Sequence, residues 1–525
     1  MESELTSYLS GIGCCWRCIL VYLGYSKQEY FSSNHHSNLE TEILNGETVD
    51  MKEKTLGSSL ASNMTNKMDI ISASVCKKLR VSVCISCLGL LQTCESTEVI
   101  KKLSDAVREG DFDAKSFSLG LSLPLSLPFR IHLIWAHLLK KFSDLQVEET
   151  RRNHVGVLKD IWRSLVGPQI SLDIDKEYVS GQLVDFNLVV QTDHPDSEEE
   201  SLILVKIDDQ KLKLRQKQTR KYSEGLLTNQ FIKDTLSEIG DEKVLHIFPD
   251  PPSVPNEQFF FKQITCTHAS LYLAGRYNKY SRTLPQTPWF VSEDRRFNSS
   301  VQELICEPLK KSIRSEGYKF SSSGREDVDV RCLGRGRPFV IEFTNPHRIH
   351  FDDDFMQVLQ EEVNISSGDL VRIKDLQIIN KKDTSNLKEG EDEKTKSYCA
   401  LCFSTKSIQP EALENLQTIK DLVLDQMTPL RVLHRRPLSV RKRVVHSIRA
   451  ESIDEKFFRL FLNTQAGTYI KEFVHGDFGR TTPNLGSILG AKCDIIALDV
   501  EVKKSFIAVI DVYNKCTARL ATIAK

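Results

Sequence analysis

The segment FSSSGREDVDVR, residues 320–331, decides how the rest of the chain is read. Its three serines and a glycine make a loop, and Val328 and Val330 then begin an alternating strand. Gly334-Arg-Gly-Arg-Pro338 reads as a turn and Pro338 to Phe343 as the return strand, so a hairpin is expected. It would present Arg325, Asp327 and Asp329 near the loop–strand junction. A loop held by a strand is where catalytic side chains often sit. On residue type alone, Asp327 and Arg325 serve equally well as a turn-stabilising pair. Asp329, two residues on, competes with Asp327 for any role as a carboxylate.

Outward from this loop, strand-like and helix-like stretches mix without a regular βα alternation, which points to an α+β fold. Towards the N-terminus, SFSLGLSLP (116–124), VDFNLVVQT (184–192) and SLILVKI (201–207) read as strands. Arg130 to Phe142, Leu226 to Ile239 and Ser299 to Ser312 read as helices. FPDPPSVPNEQ (248–258) holds four prolines in 11 residues and is the best candidate for a domain boundary. A strand-like FFFKQIT opens the second half. Residues 26–70 are rich in Ser, Asn, Glu and Lys, a composition that suits a flexible insertion.

A length of 525 residues implies two to four domains. The 40% hydrophobic and 27% charged fractions are those of a globular chain with a packed core. The net charge of −1 hides an asymmetry. Residues 262–525 carry 41 Lys and Arg against 34 Asp and Glu, whereas residues 1–261 carry 29 against 37. A basic half is a hint of a polyanionic partner. The run His434-Arg-Arg-Pro-Leu-Ser-Val-Arg-Lys-Arg443 strengthens it, because Arg435, Arg436, Arg441, Lys442 and Arg443 can neutralise phosphates. A solvated loop or a localisation signal would look the same. Arg276 and Lys279 lie among Tyr277, Tyr280 and Arg282, the mixture of charge and aromatic rings that RNA-binding surfaces use.

The opening MESELTSYLSGIGCC has no basic region ahead of an apolar stretch, so no secretory signal is expected, and no apolar run reaches the length of a membrane span. An intracellular, reducing setting follows, in nucleus or cytoplasm. There, paired cysteines favour metal over disulfide. Cys15-Trp-Arg-Cys18 and Cys84-Ile-Ser-Cys87 share the C-x-x-C spacing that lets two thiolates on one turn face the same ion. Two such turns close a tetrahedral site for one structural Zn²⁺. The competing reading is one redox or buried thiol pair and one chance pair. Cys14 adjoins Cys15, but its spacing to Cys18 is less apt. Cys399 and Cys402 lie three apart on a strand-like run, so their thiols should point to opposite faces.

Gly324-Arg325-Glu326-Asp327 is similar to the glycine–arginine–x–aspartate motif of pseudouridine synthases. Together with AGRYNKYSRTLPQTPW (274–289), LHRRPLSVR (433–441) and AGTYIKEFVHGDFGRT (466–481), it resembles the archaeal and eukaryotic tRNA pseudouridine-54/55 synthase family. The match is dense from near Tyr272 to Leu489, and the C-x-x-C pairs resemble that family's N-terminal zinc module. The resemblance implies a catalytic domain over 262–525, with a mixed, largely antiparallel sheet flanked by helices. Ahead of it would lie a zinc module over 1–100 and a THUMP-like RNA-binding domain over 101–258. Asp327 becomes the carboxylate needed to break the N1–C1′ bond of uridine. Tyr398 becomes the tyrosine that stacks on the base, Lys471 the cation paired with the aspartate, and Leu485 an apolar pocket residue. Arg325 would fill the gap left in the RNA or contact phosphate. The substrate would be the T loop of tRNA, at position 55, with 54 as a second target. The protein would act as a monomer, away from membranes, with no organic cofactor, since the reaction is a redox-neutral isomerisation. Two other readings stand beside this one: a catalytically silent zinc-containing tRNA-binding protein, and a glycosidic hydrolase acting on nucleic acid.

Overall fold

The fold is given by a computed structural model that describes residues 2–26, 31, 82–142, 148–182, 184–197, 199–200, 229–351, 354–384, 395–434 and 436–502. The expected strand at 201–207 lies outside the described residues, as does the insertion 26–70 apart from residues 26 and 31. The chain divides into two compact units, Met1–His268 and Ala269–Lys525.

In the first unit, four strands form a sheet in the order β2-β1-β3-β4. They are β1 (Ser116–Ser122), β2 (Glu177–Tyr178), β3 (Phe186–Asp193) and β4 (Phe260–His268). Every second residue of β3 is buried from Phe186 onward, as its alternating pattern requires. β1 runs parallel to β2 and β3, and β4 runs antiparallel to β3. That last ladder moves the boundary. FFFKQIT is tied to β3 by its backbone, so the division falls at His268–Ala269 rather than in the proline-rich run. Helix Ser126–Lys141 is buried on nearly every side, with Ile131, Ile134, Trp135 and Leu138 joined by Leu133, Ala136 and His137. Helix Asn229–Ile239 occupies most of the expected 226–239.

The second unit is built on a ten-stranded sheet. It contains β5 (Leu271–Lys279), β8 (Gly317–Ser322), β9 (Val330–Thr344), β10 (Val371–Ile379) and β11 (Lys396–Ser404). It continues with β12 (Lys420–Met427), β13 (Val440–Ser452), β14 (Phe457–Thr464), β15 (Thr481–Thr482) and β16 (Cys493–Val502). Two short strands, β6 (Phe290–Val291) and β7 (Asp294–Arg295), pair separately. The order is β10-β5-β9-β16-β11-β14-β13-β12-β15, with β8 also on β9. Among the described residues of this sheet, β9 and β16 pair in parallel and the other pairings are antiparallel.

The expected hairpin is absent, because β9 is one strand of 15 residues. Its first half, from Val330 to Gly334, pairs with β16, while Arg337 to Thr344 pair with β5 and β8. The two glycines do not turn the chain back. They sit at φ 69° and 79° and bend it between two sets of partners, with a break in register against β5. A Cβ on Gly336 would stand 2.9 Å from the Tyr277 carbonyl oxygen, so this close approach admits only glycine.

Helices Val301–Ile313 and Phe355–Ser366 pack on the β5–β9–β10 half through a core that includes Ile305, Leu309, Phe339, Phe343 and Val363. Helices Pro410–Asn415, Ile470–His475 and Leu485–Leu489 accompany a second core around Leu424, Ile448, Leu460, Phe473 and Leu498. Asp327 lies three residues ahead of β9, the strand that joins the two halves.

Candidate active site

The loop Ser323–Asp329 links β8 to β9, and its shape is imposed from beneath. Gly324 takes φ 89°, and its N–H reaches the Ser322 carbonyl at 3.0 Å. Gln286 Nε2 donates to the carbonyl of Gly324 at 3.0 Å, and Arg337 Nη1 to that of Ser323 at 2.6 Å. Glu326 turns inward, where its carboxylate accepts from the Tyr277 hydroxyl at 2.9 and 3.0 Å and faces Arg337 Nε at 2.8 Å. Lys279 completes the base: its ammonium donates to the carbonyls of Leu284, Asp327 and Val328 at 2.9, 3.0 and 2.8 Å. Burial pulls the Lys279 pKa down to about 8, against the attraction of Glu326. The polar crowding in this segment thus divides by direction. Glu326 anchors inward and Asp327 projects outward.

Asp327 meets two cations. Arg431 Nη1 lies 2.8 Å from its Oδ2 and Lys471 Nζ 3.6 Å from the same atom. Lys471 is closer to Asp329, at 2.8 and 2.7 Å from its two oxygens. Burial raises the Asp329 pKa, but the Lys471 ammonium outweighs it and leaves the carboxyl below its usual value. Arg431 also donates Nε to Glu472 Oε1 at 2.7 Å. Its guanidinium is 6.0 Å from the centre of the Tyr469 ring. The closest cation on Asp327 was therefore not among the expected residues. Arg431 stands just before the basic run 434–443, and nothing in residue type sets it apart from those neighbours.

A cavity of about 440 Å³ opens beside Asp327, lined by Arg325, Tyr398, Arg431, Arg436, Arg441, Arg443, Tyr469 and Lys471. Val432, Ile470, Leu498 and Val500 supply apolar wall. The sheet explains the convergence, since Val330 lies opposite Leu498 and Val500 opposite Tyr398. Tyr398 is half-buried, and burial pushes its phenol up to about 12, so it stays protonated at neutral pH.

Several expected residues lie elsewhere. Leu485 is fully buried in the second core and does not line the cavity, so Val432, Ile470, Leu498 and Val500 take the place expected for it. Arg276 and Lys279 are also buried, Arg276 donating to the Gly336 carbonyl and facing Asp375, so neither offers charge to an RNA surface. Both belong to a strand covered on its two faces. Arg325, Arg436 and Lys442 are exposed, Arg441 and Arg443 half-buried, and Arg435 lies outside the described residues.

In the first unit, the sulfurs of Cys15, Cys18, Cys84 and Cys87 all lie within 4.8 Å of one another. Those of Cys15 and Cys87 are 3.8 Å apart, and the Cys15 N–H donates to Cys84 Sγ at 3.2 Å. This arrangement could hold a metal ion. Cys14 is buried but not part of the group. Cys402 is buried while its strand neighbour Cys399 is half-exposed, so those two thiols diverge as expected. No helix among the described residues is long and apolar enough to cross a membrane.

Two family models match the chain, "Eukaryotic Pus10, N-terminal" over residues 84–266 and "Pus10, C-terminal" over residues 272–503. Among curated proteins, "tRNA pseudouridine synthase Pus10" of Homo sapiens is 38% identical over 519 residues, covering 95% of this chain and 96% of that protein. The Mus musculus protein of that name is 43% identical over 425 residues, 81% of this chain and 79% of its own length. The archaeal one from Thermofilum pendens is 40% identical over 234 residues, 44% of this chain and 52% of its own.

Proposed function

This chain belongs to the Pus10 family, and on that premise we propose that it isomerises uridine to pseudouridine in tRNA with Asp327 as the catalytic carboxylate. One observation carries the assignment of Asp327. It is the carboxylate aimed out of a rigidly braced loop, paired with Arg431 and Lys471, at a cavity walled by tyrosine and aliphatic side chains. Arg431 and Lys471 set two positive charges beside the carboxylate that the reaction uses. The uridine leaves its stack to enter the cavity, where Tyr398 receives the base and Val432, Ile470, Leu498 and Val500 exclude water. Asp327 promotes cleavage of the N1–C1′ bond. The freed uracil turns, C5 bonds to C1′, the C5 proton is lost and N1 gains one, so no net oxidation occurs. Arg436, Arg441 and Arg443 at the cavity hold phosphates of the flanking RNA, and Arg325 fills the space the base has left.

The target is the T loop, at position 55 and also 54, and the first unit grips tRNA away from the reacting uridine. Its four-cysteine group fits zinc. A tetrahedron with bonds of ~2.3 Å has edges of about 3.8 Å, the separation of Cys15 and Cys87. A zinc ion there would be structural, since four thiolates leave no position open to substrate. The test is carbodiimide mapping of pseudouridine in an unmodified tRNA transcript incubated with the protein. The proposal expects a new reverse-transcription stop in the T loop; stops confined to other arms would refute that target.

A further inference from the structure

We propose that Glu472 is a positioning residue for this isomerisation, holding Arg431 in the orientation from which its guanidinium reaches Asp327. The inference rests on Asp327 being the catalytic carboxylate. Glu472 is 1% exposed, although it follows Lys471 directly on the short helix Ile470–His475. Consecutive helical residues point about 100° apart, so one helix sends Lys471 towards the loop carboxylates and Glu472 into the protein. There Glu472 Oε1 accepts from Arg431 Nε at 2.7 Å, and Arg431 Nη1 reaches Asp327 at 2.8 Å.

The guanidinium is a planar fork with fixed donor directions. Once its Nε edge is bound to a buried acceptor, the direction of Nη1 is set. The pair Arg431–Asp327 would not hold itself in place. Its side chains are 38% and 35% exposed, and ion pairs that open to water are weak and easily lost to other rotamers. The pair Arg431–Glu472 has one partner almost entirely withdrawn from solvent. Among the described residues, Glu472 Oε2 has no hydrogen-bond partner. A carboxylate buried for packing alone would be better replaced by an apolar side chain. Its one hydrogen-bonded oxygen is spent on the arginine that touches Asp327.

The experiment is a double-mutant cycle on the full-length protein, reading single-turnover tritium release from tRNA labelled at uridine C5. Alone, Glu472→Gln is expected to slow the chemical step about tenfold, with tRNA affinity within about twofold of the parent. In an Arg431→Gln background the same change is expected to cost less than about twofold, because the arginine it orients is gone. Equal fold losses in both backgrounds, or an unchanged rate in a folded Glu472→Gln protein, would overturn the proposal. If that variant does not fold, Glu472→Asp, which keeps the charge and shortens its reach, goes through the same cycle with the same criteria. Asp327→Ala is measured alongside. Activity retained there would sink the assignment of Asp327, whereas an inactive Asp327→Ala with additive Glu472 losses would sink only the positioning role.

Discussion

Replacing Lys279 by methionine should destabilise the second unit and slow the reaction without weakening RNA binding. The ammonium is buried and donates to three carbonyls, two of them in the catalytic loop. After the substitution the Asp327 carbonyl keeps the Val330 N–H at 3.2 Å, and the carbonyls of Leu284 and Val328 lose their Lys279 donor. Each buried group left without its partner costs ~1–3 kcal/mol. Methionine also relieves the burial of a charge, so the net loss should be about 2–4 kcal/mol. At ~2–4 °C per kcal/mol for a unit of this size, the melting temperature should fall by roughly 5–15 °C. A loop freed at its base should slow chemistry on the order of 10–100-fold. The pH dependence has a definite sign. The folded pKa is about 8 against an ordinary 10.5, so the native state releases this proton first, and the residue's contribution to stability rises as pH increases between those values. The methionine variant should lose that rise. Thermal unfolding across pH 7–10.5, with tRNA affinity measured at two salt concentrations, checks all of this. A variant of native stability that binds tRNA more weakly, with a shallower salt dependence, would refute the reasoning and return Lys279 to an RNA-binding surface.

Leu485→Ala should behave as a core deletion, costing ~2–5 kcal/mol in unfolding measurements, with little effect on the chemical step in the protein that remains folded. Arg436→Ala should weaken tRNA binding and reduce the slope of log affinity against log salt by about 0.7–0.9, the signature of one phosphate contact. A chelator, or Cys84→Ser, should release about one zinc per chain and lower the unfolding temperature of the first unit. Atomic absorption and calorimetry report the two effects separately.

The mixed fold was legible because alternation and helical spacing survive where one face of an element is exposed. β3 and helix Val301–Ile313 are such elements. Signals failed where an element is covered on both sides. β5 is buried at seven consecutive positions, so Arg276 and Lys279 looked like surface charge in a segment that has no surface. The hairpin reading of Gly334–Pro338 failed for a related reason. Glycine marks an unusual backbone angle, but only the neighbouring strands decide whether the chain reverses or bends. In the site, the motif around Asp327 was readable as a continuous string. Arg431 and Glu472 were not, because Arg431 reaches Asp327, and Glu472 reaches Arg431, from segments distant in sequence. The direction of Glu326 was equally hidden. Its partners Tyr277, Gln286 and Arg337 come from β5, the segment after it and the far half of β9.

The central claim is that Asp327, and not its neighbour Asp329, is the catalytic carboxylate. Tritium release from T-loop tRNA labelled at uridine C5 tests it most directly when parent, Asp327→Asn and Asp329→Asn are compared at equal tRNA occupancy. The account predicts release by the parent, none by Asp327→Asn despite intact tRNA binding, and a reduced but measurable rate for Asp329→Asn, which frees Lys471. Persistent release from Asp327→Asn, with activity abolished in Asp329→Asn, would contradict it.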